Sequence, residues 1–357
     1  MADQTLDRRD FVRGAAAAAA GAALTAQGLA AKGQPQAAGS DTSRILNYNP
    51  DMEYRRCGKS NLMVSAVCLG GHWKRINTVV PDGDGEAFNK NRHDVVSRCI
   101  EAGMNYIDAC TGGEVKAYSA ALKGRRDKMY LGYSWYEKES RFPDWRSGKK
   151  LLQSFDDGLK EAELDYVDLW RITCHEQGGN HTFNETIGVI EALAEAKKQG
   201  KARFTGVSSH DRKWLKWLLE EFPNEIDIIV TPYTANTKVL PKESLFEAVQ
   251  KADVGVFGIK PFASNSLFAG SSAPTDPKAG EDDRRARLAI RFILCNPAIT
   301  APIPGLISIA QVENVTKAVK ERRELDGKET ADLEAAAQEM WANLPSGYGW
   351  LRNWEYV

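Results

Sequence analysis

The feature that most constrains this chain is an alternation. Short apolar runs closed by turn residues are each followed by a longer stretch of helical periodicity, and the pattern recurs from residue 66 to residue 322. The runs predict strands at Ala66–Leu69, Tyr106–Asp108, Met129–Tyr133, Tyr166–Ile172, Ala202–Val207, Ile226–Val230, Gly255–Lys260 and Thr300–Pro302. Between and after them the periodicity predicts helices over Arg92–Ala102, Lys116–Leu122, Gly148–Ala162, Thr186–Gln199, Arg212–Phe222, Glu243–Lys251, Arg284–Leu294 and Ile309–Arg322. Gly103 and Gly200 stand just past two of these helices, where a chain leaving a helix favours glycine. Parallel strands need a crossover helix between each pair. Eight such units in a row predict an α/β fold of the (β/α)8 TIM barrel class. The long insertions, Gly70–Asn91, Ser134–Ser147, Thr173–Glu185 and Phe262–Asp283, all follow a strand, which places them on the face where barrels of this kind do their chemistry.

Charge excludes some partners. Lys plus Arg (47) nearly cancels Asp plus Glu (48), so no global field favours nucleic acid or an anionic membrane, and a small-molecule substrate is expected. At the N-terminus, Asp7-Arg8-Arg9-Asp10-Phe11-Val12 precedes a weakly apolar run from Ala15 to Ala26, too short to span a bilayer and without a polar face. That is the pattern of a twin-arginine export signal, which makes the export machinery a partner and the periplasm or extracellular space the destination, with no membrane anchor after cleavage. The expected organisation is a signal over 1–31, a flexible polar linker over 32–51, the barrel over 52–339, and an aromatic tail over 340–357 that packs on the barrel. The six cysteines, Cys57, Cys68, Cys99, Cys110, Cys174 and Cys295, show no CxxC spacing and are read as buried free thiols.

Several segments carry a resemblance. Met52-Glu53-Tyr54-Arg55-Arg56-Cys57-Gly58-Lys59-Ser60 with Leu69-Gly70-Gly71, Asn105-Tyr106-Ile107-Asp108-Ala109, Asp165-Tyr166-Val167-Asp168-Leu169, Gly206-Val207-Ser208-Ser209-His210, Ile259-Lys260-Pro261-Phe262 and Ile303-Pro304-Gly305 with Gln311-Val312-Glu313-Asn314 follow the order and spacing of the aldo-keto reductases. The resemblance implies hydride exchange between a nicotinamide cofactor, usually NADP, and a carbonyl or alcohol, with Tyr, Lys, Asp and His around the reacting oxygen. Asp108 matches, but Gly113 stands where the family has Tyr, Ser134 where it has Lys, and Thr173 where it has His. A tyrosine of ordinary pKa, about 10, needs a neighbouring cation to exchange protons readily near neutrality. Tyr118, Tyr133 and His175, each near a vacated position, are candidate substitutes, and Asp108, Tyr133 and His175 form the expected catalytic set.

For the cofactor, the resemblance assigns Ser208 and Ser209 to the nicotinamide amide and Lys260, Pro304, Gly305, Gln311, Glu313 and Asn314 to the phosphates and adenosine. Val230 replaces an expected Gln, and the Arg for the extra phosphate is missing, with Gln311 near its place. No cysteine cluster for an iron-sulfur centre follows the Lys-Pro strand. A rival reading uses His72, His175 and His210, each just beyond a strand, as ligands for zinc or another divalent ion in a lyase, isomerase or hydrolase. A third is a barrel without catalysis that binds a sugar through its aromatic mouth.

Overall fold

The computed structural model describes residues 41–81, 85–175, 180–237 and 243–352. The twin-arginine segment, linker residues 32–40, Trp354 and Tyr356 lie outside the described residues. A hairpin comes first: β1 (Tyr54–Arg56) pairs antiparallel with β2 (Met63–Ser65). Eight parallel strands follow, β3 (Leu69–Gly70), β4 (Tyr106–Ala109), β5 (Tyr130–Tyr133), β6 (Val167–Thr173), β7 (Ala202–Ser208), β8 (Ile228–Pro232), β9 (Gly255–Ile259) and β10 (Ala301–Ile303), hydrogen-bonded in sequence order. The two ends of the sheet meet where the Gly70 amide donates to the Pro304 carbonyl at 2.8 Å and the Cys68 amide to Pro302 at 3.1 Å. The result is the (β/α)8 barrel that the alternation predicted.

The crossover helices are α1 (Gly85–Glu101), α2 (Gly112–Ala121), α3 (Gly148–Glu161), α4 (Phe183–Lys198), α5 (Arg212–Glu221), α6 (Leu245–Ala252), α7 (Ala279–Leu294) and α8 (Ile309–Lys320), and α9 (Gly327–Ala342) closes the fold. Two helices begin earlier than periodicity indicates. The first two turns of α1 are exposed or half-buried, so they carry no apolar stripe to be read. Helix α2 starts at Gly112 because Thr111 caps it, its hydroxyl accepting the Glu114 amide at 3.1 Å. Gly112 is needed there, since a side chain would run into the Trp135 ring.

Strand alternation sorts side chains into two cores. Inside the barrel, Tyr106, Tyr130, Leu169, Ile228, Val230, Phe257, Ala301 and Ile303 pack with Cys57, Leu62 and Val64 of the hairpin, which closes the floor. Tyr106 stacks on Phe257 with ring centres 4.2 Å apart. The larger core lies between sheet and helices, where Trp170 stacks on Phe155 at 4.1 Å.

Three expectations change. The second half of the 32–51 linker is not a loose tether: Ile45 is buried, and the Asn47 amide group donates to the carbonyls of Met104 (3.1 Å) and Lys128 (2.5 Å), just ahead of β4 and β5. The tail does not start at 340, because α9 runs through Ala342 with Met340 fully buried. The cysteines are free thiols, but Cys110 is half-buried and Cys295, at the C-terminal end of α7, is exposed.

Candidate active site

Inward-facing residues of β4, β5 and β6 rise toward the C-terminal mouth as Tyr106 and Asp108, Tyr130 and Gly132, then Leu169, Arg171 and Thr173. Register places Asp108 beside Gly132, and Gly132 beside Leu169. A side chain at Gly132 would strike the Tyr106 hydroxyl and crowd the Asp108 carboxylate, so glycine leaves the gap across which Arg171 reaches Asp108. The guanidinium donates from Nε to Oδ1 at 2.9 Å and from Nη2 to Oδ2 at 2.5 Å, with both groups buried. Burial opposes the Arg171 charge, but the carboxylate more than offsets it and holds the group protonated. Its remaining nitrogen lies 3.2 Å from the Thr173 hydroxyl and 3.9 Å from the Cys110 sulfur. Sequence reading missed Arg171. The signal was there, since a charged residue at an inward position of an otherwise apolar strand must find a counter-charge.

The two vacated positions are tied together. The Ser134 and Thr173 hydroxyls share a hydrogen bond at 2.8 Å, and both residues bond Glu139, Ser134 through its hydroxyl (2.5 Å) and Thr173 through its amide (2.7 Å). Glu139 also accepts from the Trp135 amide and the Trp170 indole, while burial pushes its carboxyl up. This knot was not anticipated either. At Gly113 the space that a side chain would enter is open except for the Thr111 hydroxyl at 3.8 Å. The next residue, Glu114, is buried, and burial works to raise its pKa. The Nδ1 of His72 (2.7 Å) and the amides of His72 and Cys110 outweigh that and hold it below its ordinary value.

The proposed substitutes are not gathered at the mouth. Tyr133 follows inward-facing Gly132, so it points outward into the helical layer, its ring 5.2 Å from Phe155 and its hydroxyl against Gly158. Tyr118 donates to the Gly70 carbonyl at 2.6 Å and accepts from the Trp73 indole. His175 lies beyond β6 with its amide donating to His181 Nε2 at 2.7 Å and the two rings edge to face. His72, His175 and His210 therefore go to three different neighbours, and among the described residues no three His, Cys, Asp or Glu side chains converge as metal ligands do.

The C-terminal segment crosses this mouth. Trp350 stacks on His210 at 4.2 Å and lies 5.7 Å from the Lys260 ammonium, and burial, then Lys260 and Arg141, hold the His210 imidazole well below its ordinary pKa. Lys260 sits just past β9 with a left-handed backbone (φ 58°), and Ala263, Ser264 and Asn265 are left-handed too. Such strain concentrates at functional sites. Among the described residues no carboxylate pairs with Lys260, and burial lowers its ammonium.

With this geometry in place, comparison with known proteins decides the family. The pattern of the aldo/keto reductase family matches residues 80–287, more than half the chain. The chain belongs to the aldo/keto reductase family. It is 25% identical over 327 residues to L-galactose dehydrogenase of Arabidopsis thaliana, an alignment covering 83% of this chain and 98% of the relative. It is 26% identical over 256 residues to L-glyceraldehyde 3-phosphate reductase of Escherichia coli, covering 66% and 69%. An aldo-keto reductase from Bacillus halodurans in its holo form has the same fold, with a TM-score of 0.60 at 23% identity over 80% of this chain and 96% of that one.

For an aldo/keto reductase the cofactor side of the mouth is mixed. Ser208 and Ser209 are buried at the end of β7, but the Ser209 hydroxyl already accepts the Asp211 amide (3.1 Å) and donates to the His175 carbonyl (3.3 Å). Pro304 and Gly305 join the ends of the sheet, and a side chain at Gly305 would strike the Gly71 carbonyl. Gln311 accepts the Ile307 amide at 2.9 Å, Glu313 pairs with Arg98, and Asn314 accepts from Arg287 at 2.6 Å. Lys260 is the member of the set that offers a desolvated cation with no carboxylate opposite it among the described residues, and that fits a phosphate-bearing group.

Proposed function

We propose that this aldo/keto reductase carries out NADP(H)-linked redox of a carbonyl or alcohol on a small, sugar-like substrate, through an altered active centre, after twin-arginine export. The observation that carries the reading is Lys260. A cation held at the mouth without a carboxylate partner among the described residues costs free energy that an anionic ligand recovers. Lys260 and the first amides of α8, beyond Gly305, would hold the phosphates, and Ser208 the amide. When bound, the nicotinamide supplies hydride chemistry. The protein's own part is to fix the reacting group above Asp108 and Arg171, whose charges are locked by two hydrogen bonds, and to exclude water with the Trp350 segment. The names of two relatives, a sugar dehydrogenase and a sugar-phosphate reductase, support a polyhydroxylated substrate.

Quenching of tryptophan fluorescence by NADPH tests this directly, because Trp350 lies beside Lys260. Saturable binding is expected. It should be weaker than in relatives that keep the Arg, and Lys260→Met should weaken it by about 10-fold or more, the loss of one charge-assisted contact. No saturation at roughly 1 mM NADPH, a Kd scale worth only about 4 kcal/mol, overturns the reading.

A further inference from the structure

We propose that the Tyr348 hydroxyl, delivered by the C-terminal segment and bonded to the Lys74 ammonium, is the acid–base group of this active site, replacing the tyrosine that the chain lacks at Gly113. The proposal rests on the nicotinamide reading above and names the proton donor that reading leaves open.

Three segments converge on this phenol. From the segment Ser346–Arg352, Tyr348 turns its hydroxyl to Lys74, in the loop after β3, and the Nζ–Oη distance is 2.8 Å. Lys74 also bonds the Ser264 hydroxyl, in the left-handed loop after β9, and its ammonium lies 4.2 Å from the centre of the Tyr348 ring. Lys260 approaches from the end of β9, 5.9 Å from the same centre, and Trp350 stacks alongside at 6.2 Å. Lys260 follows the last residue of β9, and Asp108 lies one residue from the end of β4, so both stand at the C-terminal end of the barrel. The phenol thus sits at the same mouth as Asp108. Among the described residues no carboxylate pairs with Lys74, and its ammonium bonds the Tyr348 hydroxyl directly, so a phenolate formed there is met by a positive charge.

Acidity follows the geometry. Burial works to raise the Tyr348 pKa, but the Lys74 bond, the Lys260 charge and Ser264 outweigh it, and the phenol sits below its ordinary value. Tyr54, Tyr106, Tyr118, Tyr130, Tyr133 and Tyr136 are all shifted the other way by burial. In carbonyl reduction the two electrons reach carbon with the hydride of a reduced nicotinamide. The carbonyl oxygen takes the Tyr348 proton, leaving a phenolate bonded to the Lys74 ammonium that solvent reprotonates. Alcohol oxidation runs the same transfer backwards.

Two measurements test this. In the ligand-free protein, ultraviolet difference titration should show one tyrosine ionising earlier than the rest, absent in Tyr348→Phe and shifted upward in Lys74→Met. In turnover, Tyr348→Phe should lower kcat by roughly 10² to 10⁴-fold, the range for losing general acid–base catalysis, with NADPH affinity by fluorescence unchanged. Lys74→Met should move the alkaline limb of the pH–kcat profile upward, and Lys74→Arg should restore it. Wild-type kcat in Tyr348→Phe, or no early tyrosine ionisation, overturns the proposal while leaving NADPH binding intact. A wild-type protein that binds no NADPH overturns the nicotinamide reading itself, and this step with it.

Discussion

Arg171 is the residue on which the interior of the barrel depends. Its guanidinium and the Asp108 carboxylate are both buried, and each is acceptable there because the other neutralises it through two hydrogen bonds. Removing one partner leaves the other charge uncompensated. Arg171→Met should therefore lower stability by about 3–5 kcal/mol, read as a fall in the urea midpoint, since among the described residues Asp108 would keep only the 3.4 Å contact with the Tyr106 hydroxyl. Arg171→Lys should recover part of the loss, because an ammonium cannot reproduce the two-pronged geometry. The double variant Arg171→Met with Asp108→Leu should be closer to wild type than either single change, as expected when the interaction and its desolvation cost leave together. A loss in the double variant equal to the sum of the two single losses would show that the pair is not coupled.

At the level of elements, the C-terminal segment Ser346–Arg352 connects strand ends that are distant in sequence: Trp350 covers His210 beyond β7, and Tyr348 engages the loops beyond β3 and β9. Burial is the leading reason His210 stays neutral, so Trp350→Ala should raise the His210 pKa toward its ordinary value. An imidazole NMR titration checks the sign, and an unmoved His210 would mean that Lys260 and Arg141, not the indole, control it. The aromatic composition of the tail told of packing, but a tail carries no periodicity that says which end of a barrel it covers, so its placement on the catalytic face was not legible. The strands and helices were legible, because a short run buried along its whole length, as in β6, and the apolar stripes of α3 and α5 each leave a pattern in the sequence. The exposed start of α1 writes none. Asp108 could be placed from its strand, whereas Tyr133 could not: a one-residue difference in phase decides between barrel interior and helical layer, and Gly132 gave the apolar pattern nothing to mark it. The Arg171, Glu139 and Tyr348 contacts join residues far apart in the chain, and only the closed barrel brings them together.

At the scale of the whole molecule, the barrel closes through a hydrogen bond between Gly70 and Pro304, near opposite ends of the described chain, and its floor is sealed by a hairpin that precedes every barrel strand. Such long-range closure is completed only when nearly all of the chain has been made. The export we propose, resting on Arg8-Arg9 ahead of the Ala-rich run, suits such a fold because that route carries folded cargo. Four of the six cysteines are buried as free thiols. Among the described residues no helix is long and apolar enough to cross a membrane. Replacing Arg8 and Arg9 together with lysine keeps the charge of the segment and removes the guanidinium pair. The expected outcome is full-length protein retained in the cytoplasm with its NADPH binding and urea midpoint unchanged, because the substitution lies outside the barrel. Cell fractionation with an immunoblot checks it: an undiminished periplasmic pool from the Arg8→Lys, Arg9→Lys variant would remove the export reading and leave the enzymology standing.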